Sequence, residues 1–162
     1  MISMGFEIDK TDLARVRHKL SDRRTKVGRT LRVGADPIEH FVQYIGLRWE
    51  TRARDKAPFD RGGLRSGIRF RFTGTGGEVV SLAKHSIFVH EDTRPHWPPP
   101  GALAGWAKRH GIPEFLVARK IAQEGTEGTP FLTEAFDETL ARDVAPTLRE
   151  TARRIEHEWG RR

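Results

Sequence analysis

The strongest alternation of apolar and polar positions in this 162-residue chain lies between residues 36 and 56. Asp36-Pro37 sets a capping side chain before a proline at the first helical position. Ile38, Phe41, Val42, Ile45, Trp49 and Ala53 then recur on one face of a helix reaching about Lys56, and Pro58 closes it. Upstream, residues 9–30 read as a more polar helix. Asp9 offers a cap, Leu13, Val16 and Leu20 form a narrow stripe, and the end blurs around residues 28–34.

After Pro58 the period changes from helical to two. Ile68, Phe70 and Phe72 alternate with Arg69 and Arg71, which predicts a strand with one buried and one solvated face. Gly74-Thr75-Gly76-Gly77 makes a loop, residues 78–82 form a second strand-favouring run, and the two together predict a hairpin. Residues 85–90, with Ile87, Phe88 and Val89, are expected to continue the antiparallel sheet. Residues 93–101 are extended and proline-rich, because Pro98, Pro99 and Pro100 fit neither a helix interior nor a sheet ladder. Short helices are predicted over 102–110 and 113–124. A last helix from about Phe131 carries Leu132, Phe136, Leu140, Val144, Leu148 and Ile155 near helical spacing, with a kink or restart at Pro146.

The order is helices, then a β-meander, then helices. It predicts an α+β fold, with a small antiparallel sheet of three to four strands packed against N-terminal and C-terminal helices. One domain is expected over 1–162: a helical region over 1–57, the meander over 58–93, a Pro-rich connector with short helices over 94–130, and a C-terminal helix over 131–162.

Composition narrows the chemistry. The net charge is +7, from 29 Lys and Arg against 22 Asp and Glu, and there is no cysteine. Zero cysteine removes disulfide frameworks, thiol nucleophiles and thiolate zinc sites, and fits folding in a reducing cytoplasm. No run approaches the ~18 apolar residues of a membrane span, and the first residues lack the basic-then-apolar order of a secretory signal, so a soluble chain is expected. The positive excess raises a polyanion as partner. It concentrates in the first 57 residues, notably at Arg23, Arg24, Lys26 and Arg29, the candidate contacts for phosphate or an acidic partner. Residues 7–40 contain no Phe, Trp or Tyr on which bases could stack, so base readout is not indicated.

No catalytic constellation stands out. His85, His90, Glu91, Asp92 and His96 are metal-ligating types, yet their spacing matches no two-histidine motif, and a polar strand rim is the better reading. Gly74–Gly77 lies between strands, whereas a phosphate loop runs from strand to helix. Gly125–Thr129 precedes a helix, with Thr129 as the expected cap and Pro130 at the first position. Asp60, Glu78 and Lys84 lack the spacing of a nuclease hairpin. No nucleophile elbow surrounds Ser21, Ser66, Ser81 or Ser86. The expectation is a non-enzyme without metal or cofactor.

Three separated motifs carry a resemblance. Lys56-Ala57-Pro58 leads into Asp60-Arg61-Gly62-Gly63-Leu64-Arg65-Ser66-Gly67-Ile68. Some twenty residues later comes His85-Ser86-Ile87-Phe88-Val89-His90-Glu91-Asp92-Thr93, and then Gly128-Thr129-Pro130-Phe131-Leu132-Thr133-Glu134-Ala135-Phe136. In this order they resemble the neck and tail-component family of long-tailed bacteriophages, related to minor tail proteins of the Z type, over about residues 36–140. The chain departs from the family pattern at Arg61-Gly62-Gly63, at His85-Ser86 and at Glu91-Asp92-Thr93, and adds an insertion around 94–106. By this resemblance Pro58, Gly62, Gly63, Leu64, Arg65, Ser66, Ile68, Glu91, Thr93, Pro130, Phe131 and Leu132 are motif positions of structural weight.

The resemblance implies a virion protein assembled in the host cytoplasm. It would form a homo-oligomeric ring, a hexamer by preference, that completes or terminates the tail at the head–tail junction. Neighbouring neck, head-completion and tail-tube proteins would be partners, DNA would pass through the lumen, and no membrane would be involved. Trp97, Pro98, Pro99, Pro100 and Trp106 are the candidate surface for a neighbouring subunit. A nucleic-acid-binding module using the basic N-terminal helices is the alternative.

Overall fold

The computed structural model describes residues 1–7, 37–74 and 76–160. The polar helix expected over 9–30, with Arg23, Arg24, Lys26 and Arg29, lies outside the described residues.

Helix α1, Pro37–Lys56, is the axis of the fold. Its expected stripe is the buried one: Val42, Ile45, Trp49 and Ala53 lose almost all contact with water, while Ile38 and Phe41 are half-buried. Arg65 caps the helix end from outside. Its Nε donates to the Ala57 carbonyl at 2.8 Å and its Nη2 reaches the Asp55 carbonyl at 3.4 Å, placing a cation where unpaired carbonyls gather negative charge.

Against α1 lies one antiparallel sheet of three strands in the order β1-β3-β2, where β1 is Ile2–Glu7, β2 Ile68–Phe72 and β3 Gly76–Ser81. Met4, Val79 and Phe70 align across it, as do Ile2, Ser81 and Ile68. Ile2, Met4, Phe6, Ile68, Phe70 and Val79 join Trp49 in the core cluster. The Trp49 indole is fully buried, 6.3 Å from the Phe6 ring and 4.7 Å from the Phe136 ring. Phe70 reaches into a slot that only glycine leaves open, since a Cβ at Gly46 of α1 or Gly77 of β3 would fall within its ring.

The fold is α+β, and the third strand comes from an unexpected place. It is supplied by residues 2–7, inside the region expected to be helical, and not by residues 85–90. The latter fold as a single helical turn, α3 (Ser86–His90), following another, α2 (Gly63–Ser66). The expected meander over 58–93 therefore holds two strands and two helical turns. The reason is visible in the hydrogen bonds: Ser86 N–H turns back to the Ala83 carbonyl at 3.0 Å, and Glu91 N–H to Ile87 at 2.9 Å. The turn buries Ser86 and His90, four apart, and leaves Ile87 and Phe88 outside.

The start of the outer edge of β2 is covered by side chains of α1. Glu50 accepts the Phe70 N–H at 2.6 Å, and Arg54 donates to the Ile68 carbonyl at 2.9 Å through Nη2 while pairing with Glu50. Sheet edges with unpaired backbone groups invite strand addition, and here the Phe70 N–H and the Ile68 carbonyl are occupied.

Two further helices, α4 (Ala104–His110) and α5 (Glu114–Glu124), fall where expected. Helix α6 (Phe131–Thr139) brings Phe131, Leu132 and Ala135 into the core, and the Leu132 carbonyl accepts the Trp49 indole N–H at 2.9 Å. Pro130, not Thr129, occupies its N-cap position, and no side chain caps it; the Thr129 carbonyl instead accepts the Phe131 N–H at 2.7 Å. The chain stays helical through Pro146. A widened π turn, Leu140–Val144, connects α6 to α7 (Ala145–Gly160), and widening relieves the collision of a proline ring with the preceding turn. The expected continuous stripe does not hold, since Leu132 is buried while Leu140 and Leu148 are exposed: positions eight apart drift about 80° around a helix.

Charged side chains tie α1 to α6 and the π turn. Arg52 donates to Thr139 Oγ1 at 2.9 Å and pairs with Asp143 and Glu138, while Lys56 meets Glu138 at 3.2 Å. The Lys56 bond, helped by the charges of Arg142 and Arg52, holds the Glu138 carboxyl below its ordinary value.

Candidate assembly surface

The three sequence motifs separated along the chain meet in space. Gly62, with φ +80°, makes the left-handed step that starts α2; Gly63 is the first residue of that turn. Leu64 and Ile68 enter the same core cluster as Phe131 and Leu132, around Trp49, Ala53 and Ala57. Ser66 Oγ donates to the Gly63 carbonyl at 3.2 Å, and the Arg65 guanidinium lies 5.3 Å from the centre of the Phe59 ring. Pro58 and Glu91 are exposed. These positions are scaffold: they end α1, launch β2 and anchor α6.

Thr93 belongs to a different joint. It forms an isolated antiparallel bridge with Thr126, with Thr93 N–H to Thr126 carbonyl at 2.9 Å, the reverse bond at 3.2 Å, and the hydroxyls 2.7 Å apart. Gly125, at φ +80°, has no room for a side chain, because a Cβ would strike the Thr93 carbonyl. Between these paired strands the chain leaves and returns, so residues 94–125 form an arm built of the proline-rich stretch, α4 and α5.

The arm carries the predicted aromatic surface, with additions. Trp97 is 57% exposed and lies 6.1 Å from Phe115, itself 60% exposed. Arg119 sits 5.9 Å from the Phe115 ring centre. Trp106 stacks on His110 at 4.2 Å and is only partly open. The three prolines do not act alike: Pro99 and Pro100 are exposed, but Pro98 is buried. Phe115, Leu116 and Ile112 are exposed too and were not anticipated. The signal lay in Phe115-Leu116-Val117, since a helix cannot turn three consecutive side chains to one face.

The ligand-type residues around His90 disperse. His85 is exposed, Asp92 Oδ1 accepts the Gly128 N–H at 2.8 Å, and His96 Nδ1 lies 2.9 Å from the Arg94 carbonyl. Among the described residues no three His, Asp or Glu side chains converge to hold a metal ion. Asp60 pairs with Arg109 and Glu78 with Arg71, so neither is poised beside Lys84. No helix among the described residues is long and apolar enough to cross a membrane.

His90 is buried edge-on to Phe131, ring centres 5.1 Å apart, with Nε2 3.5 Å from Thr133 Oγ1 and Nδ1 meeting no hydrogen-bonding atom of the protein. Burial lowers its pKa below the ordinary value, against the opposing charge of Glu91. The folded state thus favours neutral imidazole. The stability it contributes is present above about pH 6.5 and is lost as pH falls from there through the folded value. Urea titrations across this window should show that His90→Gln flattens the acid-side slope; equal slopes in both proteins would disprove the assignment.

No protein-family model matches the chain, no curated protein matches it, and no solved structure matches it.

Proposed function

We propose that this protein is a structural subunit of the head–tail junction of a long-tailed bacteriophage, forming a ring, a hexamer in our reading, that completes or terminates the tail and joins it to the head. It acts by assembly and not by catalysis. The observation that supports this reading is the division of labour in the chain. The motif positions Leu64, Ile68, Phe131 and Leu132 are spent on one core, while the arm between Thr93 and Thr126 displays Trp97 and Phe115 to solvent. Exposed aromatics next to an arginine are the composition of interface centres.

In this reading the arm seats on a neighbouring subunit, and neck, head-completion and tail-tube proteins bind the two faces of the ring. The purified protein should run as a closed oligomer by native mass spectrometry. Trp97→Ala with Phe115→Ala should shift it to monomer with its circular dichroism unchanged. Intact rings from the double variant would sink the proposed contact. Disrupting the gene should yield DNA-filled heads and unattached tails, and normal particles would sink the functional reading.

A second reading, contact with nucleic acid, is favoured by the charge distribution. Residues 37–160 hold 18 basic and 17 acidic side chains, close to balance, so the positive excess belongs almost wholly to 8–36 and the last two arginines. Reversing Arg23, Arg24 and Lys26 should then weaken DNA binding and flatten its salt dependence; an unchanged salt slope would remove this reading.

A further inference from the structure

The arm is joined to the rest of the molecule in an unusual way. Its base is a short seam, the bridged pair Thr93 and Thr126 backed by the Thr129 N–H to Val89 carbonyl bond at 2.8 Å. Gly125 beside it sits in the left-handed region, and the Gly128 N–H is held by Asp92. Inside the arm, α4 and α5 pack against each other, Ala107 and Ala118 are buried, and His96 N–H bonds the Ile121 carbonyl at 3.3 Å. The arm therefore has interior contacts of its own.

On α4, the arm meets the body through a forked ion pair. Arg109 Nε donates to Asp60 Oδ1 at 3.0 Å and its Nη2 pairs with Oδ2. The third nitrogen, Nη1, donates to the Gly105 carbonyl at 2.7 Å, which fixes the guanidinium on α4. Asp60 lies in the turn between α1 and α2, forty-nine residues away in sequence.

We propose that residues 94–125 are a hinged arm, pivoting at the Thr93–Thr126 bridge and latched closed by Asp60 and Arg109. Geometry gives the latch direction, since two parallel N–H···O bonds require the planes of guanidinium and carboxylate to match. Solvent keeps it reversible. Both side chains are partly open to water, at 32% and 38% of their surface, and exposed pairs of this kind shift an equilibrium by about two- to fivefold. A docking partner that offers its own carboxylate to Arg109, or its own guanidinium to Asp60, exchanges one half of the latch for an equal contact and releases the arm. Asp60 is charged throughout the neutral range, because the bond from Arg109 and the charges of Arg109, Arg61 and His110 hold its carboxyl below the ordinary value. Salt and partner charge operate the latch, and mild acid does not. The device belongs to the free chain and holds whatever the chain assembles with.

The absence of cysteine makes the test direct. Gly63→Cys on the body, where a Cβ meets nothing within 4 Å, and Lys108→Cys on the exposed side of α4 give two labelling sites in the full chain. Spin labels there should report one narrow distance at low salt. Asp60→Asn and Arg109→Gln should each raise the longer, broader population about two- to fivefold, and 1 M sodium chloride should do the same to the unaltered latch. Exchanging the pair, Asp60→Arg with Arg109→Asp, should restore the narrow distance. The proposal is overturned if the single variants keep the narrow distribution, or if the exchanged pair, folded by circular dichroism, stays open.

Discussion

Trp49→Ala lowers the free energy of unfolding by about 3–5 kcal/mol, the range for emptying a large aromatic site in a packed core. Its ring touches three layers: Phe6 on the sheet, Phe136 on α6, and the α1 stripe that carries it. The cavity opens at the centre of the molecule, where no neighbour can collapse without leaving another contact. The Leu132 carbonyl also loses the indole N–H at 2.9 Å, and a buried acceptor left without a donor adds about 1 kcal/mol or more. Trp49→Phe separates the terms, keeping most of the volume and losing only the N–H. Denaturant titrations followed by far-ultraviolet circular dichroism should place Phe between wild type and Ala. If Phe is as damaging as Ala, shape and not volume governs the site, and the cavity argument fails.

Glu50→Ala has the second large effect, about 2–4 kcal/mol. Glu50 is a nearly buried carboxylate that accepts the Phe70 N–H at 2.6 Å and pairs with Arg54 on the next turn. Removing it strands a backbone donor and leaves Arg54 without its anion. The figure lies below that for a fully buried pair because Arg54 is partly open to water. Glu50→Gln keeps an acceptor for Phe70 and gives up the ion pair, so its cost should be well under half that of Ala. Ala should also aggregate faster on mild heating, since the β2 edge is then open to another strand. Equal stability of the Gln and Ala variants would mean that the charge, not the acceptor, matters here.

Helix α1 was legible because two independent signals agreed: Asp36-Pro37 at the start, and a stripe in which Val42, Ile45, Trp49 and Ala53 are buried. The hairpin was legible from period two in Ile68, Phe70 and Phe72 and from a strand-favouring run after a glycine loop, although β3 begins inside the expected loop, at Gly76. Strand β1 was missed although Ile2, Met4 and Phe6 alternate with Ser3, Gly5 and Glu7. Six residues containing Gly and three unbranched or small side chains have little intrinsic preference for a strand, and this one is decided by the pairing with β3. Residues 85–90 failed in the opposite way. Ile87-Phe88-Val89 favours a strand locally, but a short apolar run does not by itself distinguish strand from helix.

The candidate surface was half legible. Trp97 and Trp106 stood out by type. Glu50, Arg52, Arg54 and Arg109 did not, because their partners lie up to ninety-one residues away, or on the backbone, where no spacing rule reaches. Arg65 was recognised only as part of a motif, and its use as the cap on α1 follows from the fold.

The π turn at Leu140–Val144 has one more consequence. An α-helix advances about 100° per residue, so a turn that holds an extra residue works like a one-residue insertion in the phase of everything after it. Helix α7 therefore continues the inner face of α6 one residue later in sequence, with Thr151 facing inward and Leu148 facing water. Which side of α7 looks outward is thus set by counting: closing the turn to a regular helix at unchanged length would rotate α7 by about 100°, whereas losing a single residue between 140 and 144 would close the turn and leave the faces of α7 where they are.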